Sequence, residues 1–460
     1  MQETWDVIVA GGGNAGLSAA ISAASKGRRV LLIERGDEAS RGGNSKYTRD
    51  IRYAHDHDAI TTGRYSEAEF LEDLLGVTLG KTNLELAKFV IKESFGVKEF
   101  MEDNGVLWQK PLKGTLHLAR TNAFFLGGGK ALVNAYYARA QKLGVKVMYS
   151  AAVQDAVIEE DTFRSVVVQS GDKTQTIIGK ALVAASGGFE SNAAWLEEYW
   201  GEASRNFVVR GCAYNDGLLM RALFKNSALP VGDPRDAHMV LVDARSPRFD
   251  GGIVTRVDSV PFGIVINVDG KRFYDEGEEL WPKRYAIWGR LTAEQPSQMS
   301  FSIVDSKTVG LFLPTTFPPH RANSIVELAN KIAVEPRGLV ETVQEFNSHV
   351  ADDGRFNPGI LDSCHTDGLR PPKSHWALPI DSPPFYAYPL MPGITFTYMG
   401  LGVDGSGRVL RRGRSPFRNV FAAGENMMGN ILTKGYLAGF GMTIGTVFGK
   451  VAGEQASSVV

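Results

Sequence analysis

Asp6-Val-Ile-Val-Ala-Gly-Gly-Gly-Asn-Ala-Gly-Leu17 is the stretch that decides the fold. The short β-branched run from Asp6 to Ala10 enters three glycines and continues into a small-residue helical pattern from Leu17 to Lys26. Strand, glycine turn and helix therefore follow one another directly. Gly27-Arg-Arg-Val-Leu-Leu-Ile-Glu34 then reads as a loop and a second apolar strand, completing a βαβ unit of parallel-sheet type. Gly11, Gly13 and Gly16 have the GxGxxG spacing: the first permits the tight turn, the second lets backbone approach a pyrophosphate, and the third lets helix pack on strand. The helix N-terminus would face phosphates with its positive dipole end. Glu34, at the end of the second strand, would accept hydrogen bonds from ribose hydroxyls and repel a 2′-phosphate. The stretch predicts a dinucleotide site, with Asn14, Ala15 and Arg35 beside its key positions.

A chain of 460 residues exceeds one simple core, which suggests two or three substructures. Hydrophobic residues at 43% and charged residues at 22% describe a globular chain and argue against disorder or a coiled coil. Fifty Lys+Arg against 51 Asp+Glu leave a net charge of -1, so there is no global field for nucleic acid or an anionic membrane. The two cysteines, Cys212 and Cys364, support neither a zinc cluster nor a disulfide framework. No metal is expected, and a reducing, cytoplasmic setting fits. Gln2-Glu3-Thr4 lacks the basic region of a signal peptide. The longest apolar stretch, Tyr436 to Phe448, is interrupted by glycines and too short to cross ~30 Å of hydrocarbon, so it predicts a buried helix and no transmembrane segment.

Helical periodicity recurs at residues 67–75, 84–95 and 130–143, before a β-rich stretch at 145–168 and a buried strand at 181–185. From about Ala228 to Pro384 prolines and aromatics increase, with Pro318-Pro319, Pro371-Pro372 and Pro383-Pro384 as punctuation. Val420 to Glu425 again reads as a strand ending in glycine, and residues 439–452 as a closing helix. The expected architecture is α/β: a discontinuous Rossmann-like domain from residues 1–227 and 385–460, with an inserted α+β capping domain at 228–384.

Both FAD and NAD use such a βαβ unit. Three further glycine sites, Arg41-Gly-Gly-Asn-Ser45, Ser186-Gly-Gly188 and Ala422-Ala-Gly-Glu425, flank strand-like segments, as expected if several loops line one long ligand. Jointly they favour a flavin dinucleotide, with Gly187 and Gly424 among its contacts.

At these residues the chain resembles the fumarate reductase and succinate dehydrogenase flavoprotein superfamily. Arg-Gly-Gly-Asn-Ser at 41–45 with Thr48-Arg49, Gly270-Lys-Arg-Phe-Tyr-Asp-Glu276, Gly393-Ile-Thr-Phe-Thr397 and Tyr436 are most similar to the tricarballylate dehydrogenase branch. The resemblance implies an FAD-binding domain, a capping domain and chemistry on a carbon–carbon bond beside a carboxylate or carbonyl. It implies that Gly43, Asn44 and Ser45 hold the phosphates and ribityl chain, and that Glu425 contacts the ribityl hydroxyls. Backbone N–H groups near Gly441, Met442 and Thr443 would stabilise negative charge on the reduced flavin. Where membrane-complex relatives attach the flavin to a histidine, this sequence has Asn44, which implies non-covalent FAD.

The sequence departs from the fumarate reductase pattern at its acids and bases. Leu280 stands where the relatives' proton-donating arginine falls, and Arg256, after Val254-Thr255, where they carry an acid. Thr395-Phe396-Thr397 replaces His-His-Thr, and Tyr436 replaces a substrate-anchoring arginine. Tyr436 is the first candidate for acid/base work and Tyr398 the second; Arg284, Arg256 or Lys434 would supply the cation a tyrosine base needs. His238 matches a substrate-binding histidine of the capping domain, and Thr255, Arg256, Thr395 and Phe396 complete the expected substrate contacts.

The predicted function is FAD-dependent dehydrogenation, or the reverse reduction, of a Cα–Cβ bond in a tricarballylate-like carboxylate. The alternative substrate is a neutral enone, as in ketosteroid dehydrogenases or ene-reductases. The alternative of another class is a flavin-carrying electron-transfer subunit. A quinone, oxygen or a redox protein is the expected electron acceptor.

Overall fold

The structure is a computed structural model that describes residues 3–111, 118–252 and 254–460; Gln2 lies outside the described residues. The chain divides into two compact units, one of residues 1–199, 211–237 and 396–460 and the other of residues 200–210 and 238–395.

The first unit is built on an eight-stranded sheet. Its path runs from Arg408–Leu410 through Pro416–Ala422, Lys173–Ala184, Thr4–Ala10 and Val30–Ile33 to Lys146–Met148. The four central pairings are parallel, with Ile8 opposite Leu31 on one side and Leu182 on the other. Strands buried on both faces need continuous apolar runs, and Val7, Ile8 and Val9 are fully buried. Antiparallel strands Ala152–Glu159 and Thr162–Ser170 extend the sheet beside Lys173–Ala184.

Helix Asn14–Ser25 packs against the closing helix Phe440–Ser458 at a separation that only small residues permit. A Cβ on Gly449 would overlap the Ala15 carbonyl, and one on Gly453 the Ala19 carbonyl. The glycines four residues apart thus form the face on which the first helix lies. The apolar stretch from Tyr436 enters this helix at Phe440. Among the described residues no helix is long and apolar enough to cross a membrane.

The second unit holds a seven-stranded sheet in which Phe385–Thr397 pairs with Ser300–Asp305, Ala237–Asp243, His320–Ala322 and Val208–Arg210. Helices Ile325–Lys331 and Pro336–His349 share its core through Leu328, Leu339, Val343 and Phe346, packed with Ile264, Ile303 and Ala387. The chain crosses between units at 199/200, 210/211, 237/238 and 395/396, where composition points to 227/228 and 384/385. One reason is Val208–Arg210, whose Val208 and Val209 pair with Gly393 and Ile394. No proline or glycine run marks that excursion.

Candidate active site

The glycine turn has the geometry its spacing predicts. Gly11 has φ of 105°, and a Cβ there would overlap the Ala185 carbonyl. A Cβ on Gly16 would overlap the Gly11 carbonyl, so helix and strand touch at backbone distance. Gly13 caps the helix without a side-chain acceptor, which leaves first-turn amides for an anion. A Cβ on Gly13 would reach within 3.3 Å of Ser45 Oγ, where the Asn14 amide donates at 2.9 Å. The Asn14 side-chain amide donates to the Met442 carbonyl and Thr446 Oγ1, both at 3.0 Å. Asn14, Ser45 and Met442, far apart in sequence, are thereby held in one cradle.

Buried Glu34 accepts from the Gly36 amide at 2.7 Å, the Gly42 amide at 3.3 Å and the Tyr137 hydroxyl at 3.2 Å. A carboxylate offers about four acceptor positions, so one remains for a ribose hydroxyl. Burial and the Glu34 charge push the Tyr137 hydroxyl up, keeping it a donor. Arg35 pairs with Asp216 and donates to the Tyr214 carbonyl at 3.1 Å.

A buried acid pair lies deeper in the first unit. Glu190 accepts from Asn44 Nδ2 at 2.9 Å and Asn215 Nδ2 at 2.6 Å, while Asn44 Oδ1 accepts from the Cys212 amide at 2.8 Å. Glu425 accepts from the Thr397 amide at 2.9 Å, and Gly188 has no side chain because a Cβ would overlap the Glu425 carboxyl. Burial raises both carboxyls, and the charge of Glu190 raises Glu425 further. Of the two, Glu425 is the one held further above the ordinary glutamate range. Asn426 braces the Ser186–Gly188 turn, accepting from the Ser186 amide at 2.6 Å and donating to the Gly187 carbonyl at 2.9 Å. Gly187 and Gly424 both have positive φ, 82° and 64°.

At the start of the closing helix, the Gly441 amide donates to the Tyr436 hydroxyl oxygen at 2.9 Å. The Phe396 ring sits edge-on to Tyr436 at 5.3 Å between centroids. Tyr398 is fully buried and donates its hydroxyl proton to the Gly435 carbonyl. Lys434 is ion-paired with Asp236 at 2.9 Å. Thr443 Oγ1 donates to the Arg52 carbonyl.

The second unit has its own polar cluster. His238 Nε2 lies 3.1 Å from the Tyr285 hydroxyl, and the Arg256 guanidinium stands 5.0 Å from the Tyr285 ring centroid. Arg256 pairs with Asp258 at 2.7 Å, and Asp258 also accepts from Trp281 Nε1 at 2.7 Å. Burial, then the charges of Arg210 and Arg256, hold His238 well below the usual histidine range, so it is a neutral imidazole at pH 7. Arg210 donates to Thr395 Oγ1 at 3.1 Å and to the Gly252 carbonyl at 3.0 Å. Thr255 donates to Asp250. Arg284 pairs with Glu278, which also accepts from the Tyr274 hydroxyl at 2.8 Å.

The FAD binding domain family matches residues 6–441. The chain belongs to that family. The residues of the first unit fit the cofactor: an uncapped helix start behind a glycine turn, a buried carboxylate at the end of the second strand, a second glycine loop at Gly42 and Gly43, and the start of the closing helix. This FAD-binding chain is 24% identical to NADH:fumarate oxidoreductase of Klebsiella pneumoniae (strain 342), over 99% of its own length and 48% of that protein. It therefore spans about half the length of that relative. It is 26% identical to 4-oxocyclohexanecarboxylate 2-dehydrogenase of Sinomonas cyclohexanicum, covering 98% of this chain and 94% of the relative. Among solved structures, 3-ketosteroid-delta4-(5alpha)-dehydrogenase from Rhodococcus jostii RHA1 shares the fold with a TM-score of 0.74 at 21% identity, over 99% of this chain and 97% of that one. The expected superfamily and α/β fold class are borne out.

Sequence reading of this FAD-binding chain missed Glu190, Asn426, Arg210 and Tyr285. Glu190 follows Ser186-Gly-Gly188 within two residues, so the glycine pair was the available signal. Tyr285 lies in the Trp/Tyr/Arg-rich run 281–290. Arg210 is outside the segment that composition assigns to the cap, and nothing local distinguishes it. Among the described residues no group of three His, Cys, Asp or Glu side chains could hold a metal.

Proposed function

We propose that this chain is an oxidoreductase that holds FAD non-covalently and removes two hydrogens from, or returns them to, a Cα–Cβ bond activated by a neighbouring ketone. When bound, FAD supplies hydride acceptance from one of the two carbons. Gly11, Gly13, Asn14, Gly16, Gly43 and Ser45 hold its phosphates, and Glu34 its ribose. Asn44, anchored on Glu190 and Cys212, offers an amide in place of a nucleophilic ring nitrogen. The carboxyl of Glu425 serves the ribityl chain, and the positive end of the closing helix at Gly441, Met442 and Thr443 serves the flavin edge through its dipole, the Gly441 N–H itself being given to the Tyr436 oxygen.

Tyr436 moves the proton of the neighbouring carbon. The observation that carries this role is the Gly441 amide bond to its oxygen, made at a helix N-terminus. Donation there stabilises negative charge on the phenol oxygen and turns its own proton outward. Phe396 presents an apolar edge beside it. Tyr398, whose proton is committed to the Gly435 carbonyl, supports the same turn. In the second unit, neutral His238 with Tyr285 suits recognition of a carbonyl oxygen. Arg256 and Arg284 are each neutralised by a carboxylate, which favours a ketone over a tricarboxylate. A quinone, oxygen or a redox protein would take the electrons onward.

Anaerobic mixing of the FAD-loaded chain with substrates tests the class. A cyclic ketone carrying one carboxylate, 4-oxocyclohexanecarboxylate, should bleach the visible flavin band, and tricarballylate should not. Bleaching by tricarballylate alone would replace the ketone reading with the polycarboxylate one. Failure of every ketone and carboxylate to bleach it would leave the chain as a flavin-carrying subunit.

A further inference from the structure

We infer that Arg52 and Asn122 are positioning residues for Tyr436: together they clamp the Ala438 carbonyl in the turn between that tyrosine and the closing helix. The inference rests on the proposed role of Tyr436.

The turn from Tyr436 to Gly441 is short, and the bond between its two ends depends on the path of residues 437–440. Ala438 is its midpoint. The Ala438 carbonyl accepts from Arg52 Nε at 3.0 Å and from Asn122 Nδ2 at 2.8 Å. A carbonyl oxygen has two lone pairs, so these two donors saturate it and fix its direction. The next residue is held too, because the Arg52 amide donates to the Gly439 carbonyl at 3.4 Å. Gly439 has φ of 80°, and a Cβ there would fall 2.7 Å from both the Arg52 amide nitrogen and Asp50 Oδ1.

Both donors are themselves fixed. Asn122 is fully buried; its Nδ2 also donates to Asp50 Oδ1 at 2.8 Å, and its Oδ1 accepts from Thr121 Oγ1 at 2.7 Å. Arg52 is 2% exposed. Its guanidinium donates to the Tyr65 hydroxyl at 2.8 Å and lies 3.6 Å from Asp73, which accepts from Tyr65 at 2.7 Å. A buried guanidinium is costly unless paired and hydrogen-bonded; here Asp73 offsets its charge while the Ala438 and Tyr65 oxygens accept two of its N–H groups. The side chain is therefore in a single orientation, and so is the carbonyl it grips. The fork geometry matters: lysine can reach one of these acceptors but cannot hold Ala438 and Tyr65 at fixed angles. A misplacement of ~1 Å at a proton-transfer group can cost ~10²-fold in rate.

The test compares FAD-loaded wild type, Arg52→Lys, Arg52→Met and Asn122→Ala by single-turnover flavin bleaching and by NMR of tyrosine labelled at the ring carbon bearing oxygen, with Tyr436→Phe assigning the resonance. Arg52→Met and Asn122→Ala should move the Tyr436 resonance. They should slow bleaching ~10–100-fold while KM changes less than about threefold. Arg52→Lys should recover part of both effects. An unmoved Tyr436 resonance in Arg52→Met and Asn122→Ala would overturn the inference, as would a loss confined to FAD affinity or folding that lysine does not relieve. If Tyr436→Phe bleaches at the wild-type rate, the proposed role of Tyr436 fails; the resonance still reports whether Arg52 and Asn122 position that side chain.

Discussion

The Gly441 amide lies 2.9 Å from the hydroxyl oxygen of Tyr436, five residues earlier, and donates to it. A tyrosine at this position can carry a proton. Its oxygen is supported by a helix terminus, whose effective positive charge falls off within the first turn.

Removing that one donor is feasible because proline is tolerated in the first helical turn. Gly441→Pro should slow single-turnover flavin bleaching ~10-fold and shift its pH dependence upward, as expected for a lost hydrogen bond to a charged oxygen. Gly441→Ala keeps the amide and adds only a Cβ 3.1 Å from the Tyr436 oxygen. It should lose less than about half of the proline effect. Equal losses in the two variants would mean that crowding, not donation, matters.

The buried pair Glu190 and Glu425 gives a pH dependence of defined sign. Glu425 titrates above the ordinary glutamate range in the folded chain, so the native state binds its proton more tightly than the unfolded state does. Its contribution to stability is complete below the ordinary glutamate value and is lost as pH rises toward the elevated native one, at about 1.4 kcal/mol per unit of difference. Thermal midpoints of the FAD-loaded chain should therefore fall between pH 5 and pH 8, and Glu425→Gln should flatten that fall. A steeper fall in the variant would reverse the assignment of the proton.

His238 is neutral across the physiological range, so ketone binding through it should be indifferent to pH near the ordinary histidine value. His238→Ala should raise KM for the ketone ~10-fold, the worth of one hydrogen bond. Arg256→Ala should change it less than about threefold, because Asp258 already neutralises that guanidinium. Steady-state kinetics from pH 6 to pH 8.5 measure both. A large KM rise in Arg256→Ala would point to an anionic substrate group.

Gly16→Ala places a methyl group onto the Gly11 carbonyl and forces the first helix away from its strand. Overpacking of this kind costs ~1–3 kcal/mol. The variant should retain the fold with a lowered thermal midpoint and lose FAD on gel filtration, whereas Gly27→Ala, with open space around it despite φ of 78°, should keep FAD bound.

The cofactor half of the site was legible because it is written in local spacing: Gly11, Gly13, Gly16 and Glu34 lie within one βαβ unit, and each has a steric or hydrogen-bonding reason for its residue type. The closing helix was legible as apolar and buried, but its glycines were not, since their purpose is the approach of Ala15 and Ala19 from the other end of the chain. The same limit hid Glu190, whose partners Asn44, Asn215 and Glu425 span most of the sequence. Arg52 carries no local signal, because its partners Ala438 and Asp73 lie far from it in sequence. Long-range polar networks leave no periodic trace, so the roles of Arg210, Tyr285 and Asn122 emerge only from coordinates. The domain boundaries followed the same rule: proline pairs mark turns, whereas strand pairing between Val209 and Ile394 assigns residues 200–210.

The most direct measurement is the single-turnover rate of flavin bleaching in FAD-loaded Tyr436→Phe, mixed anaerobically with a bleaching ketone. A general acid–base group is worth ~10²–10⁴-fold. The rate should fall by that factor with the flavin spectrum of the resting protein intact. A rate within about threefold of wild type would contradict the assignment of the proton to Tyr436.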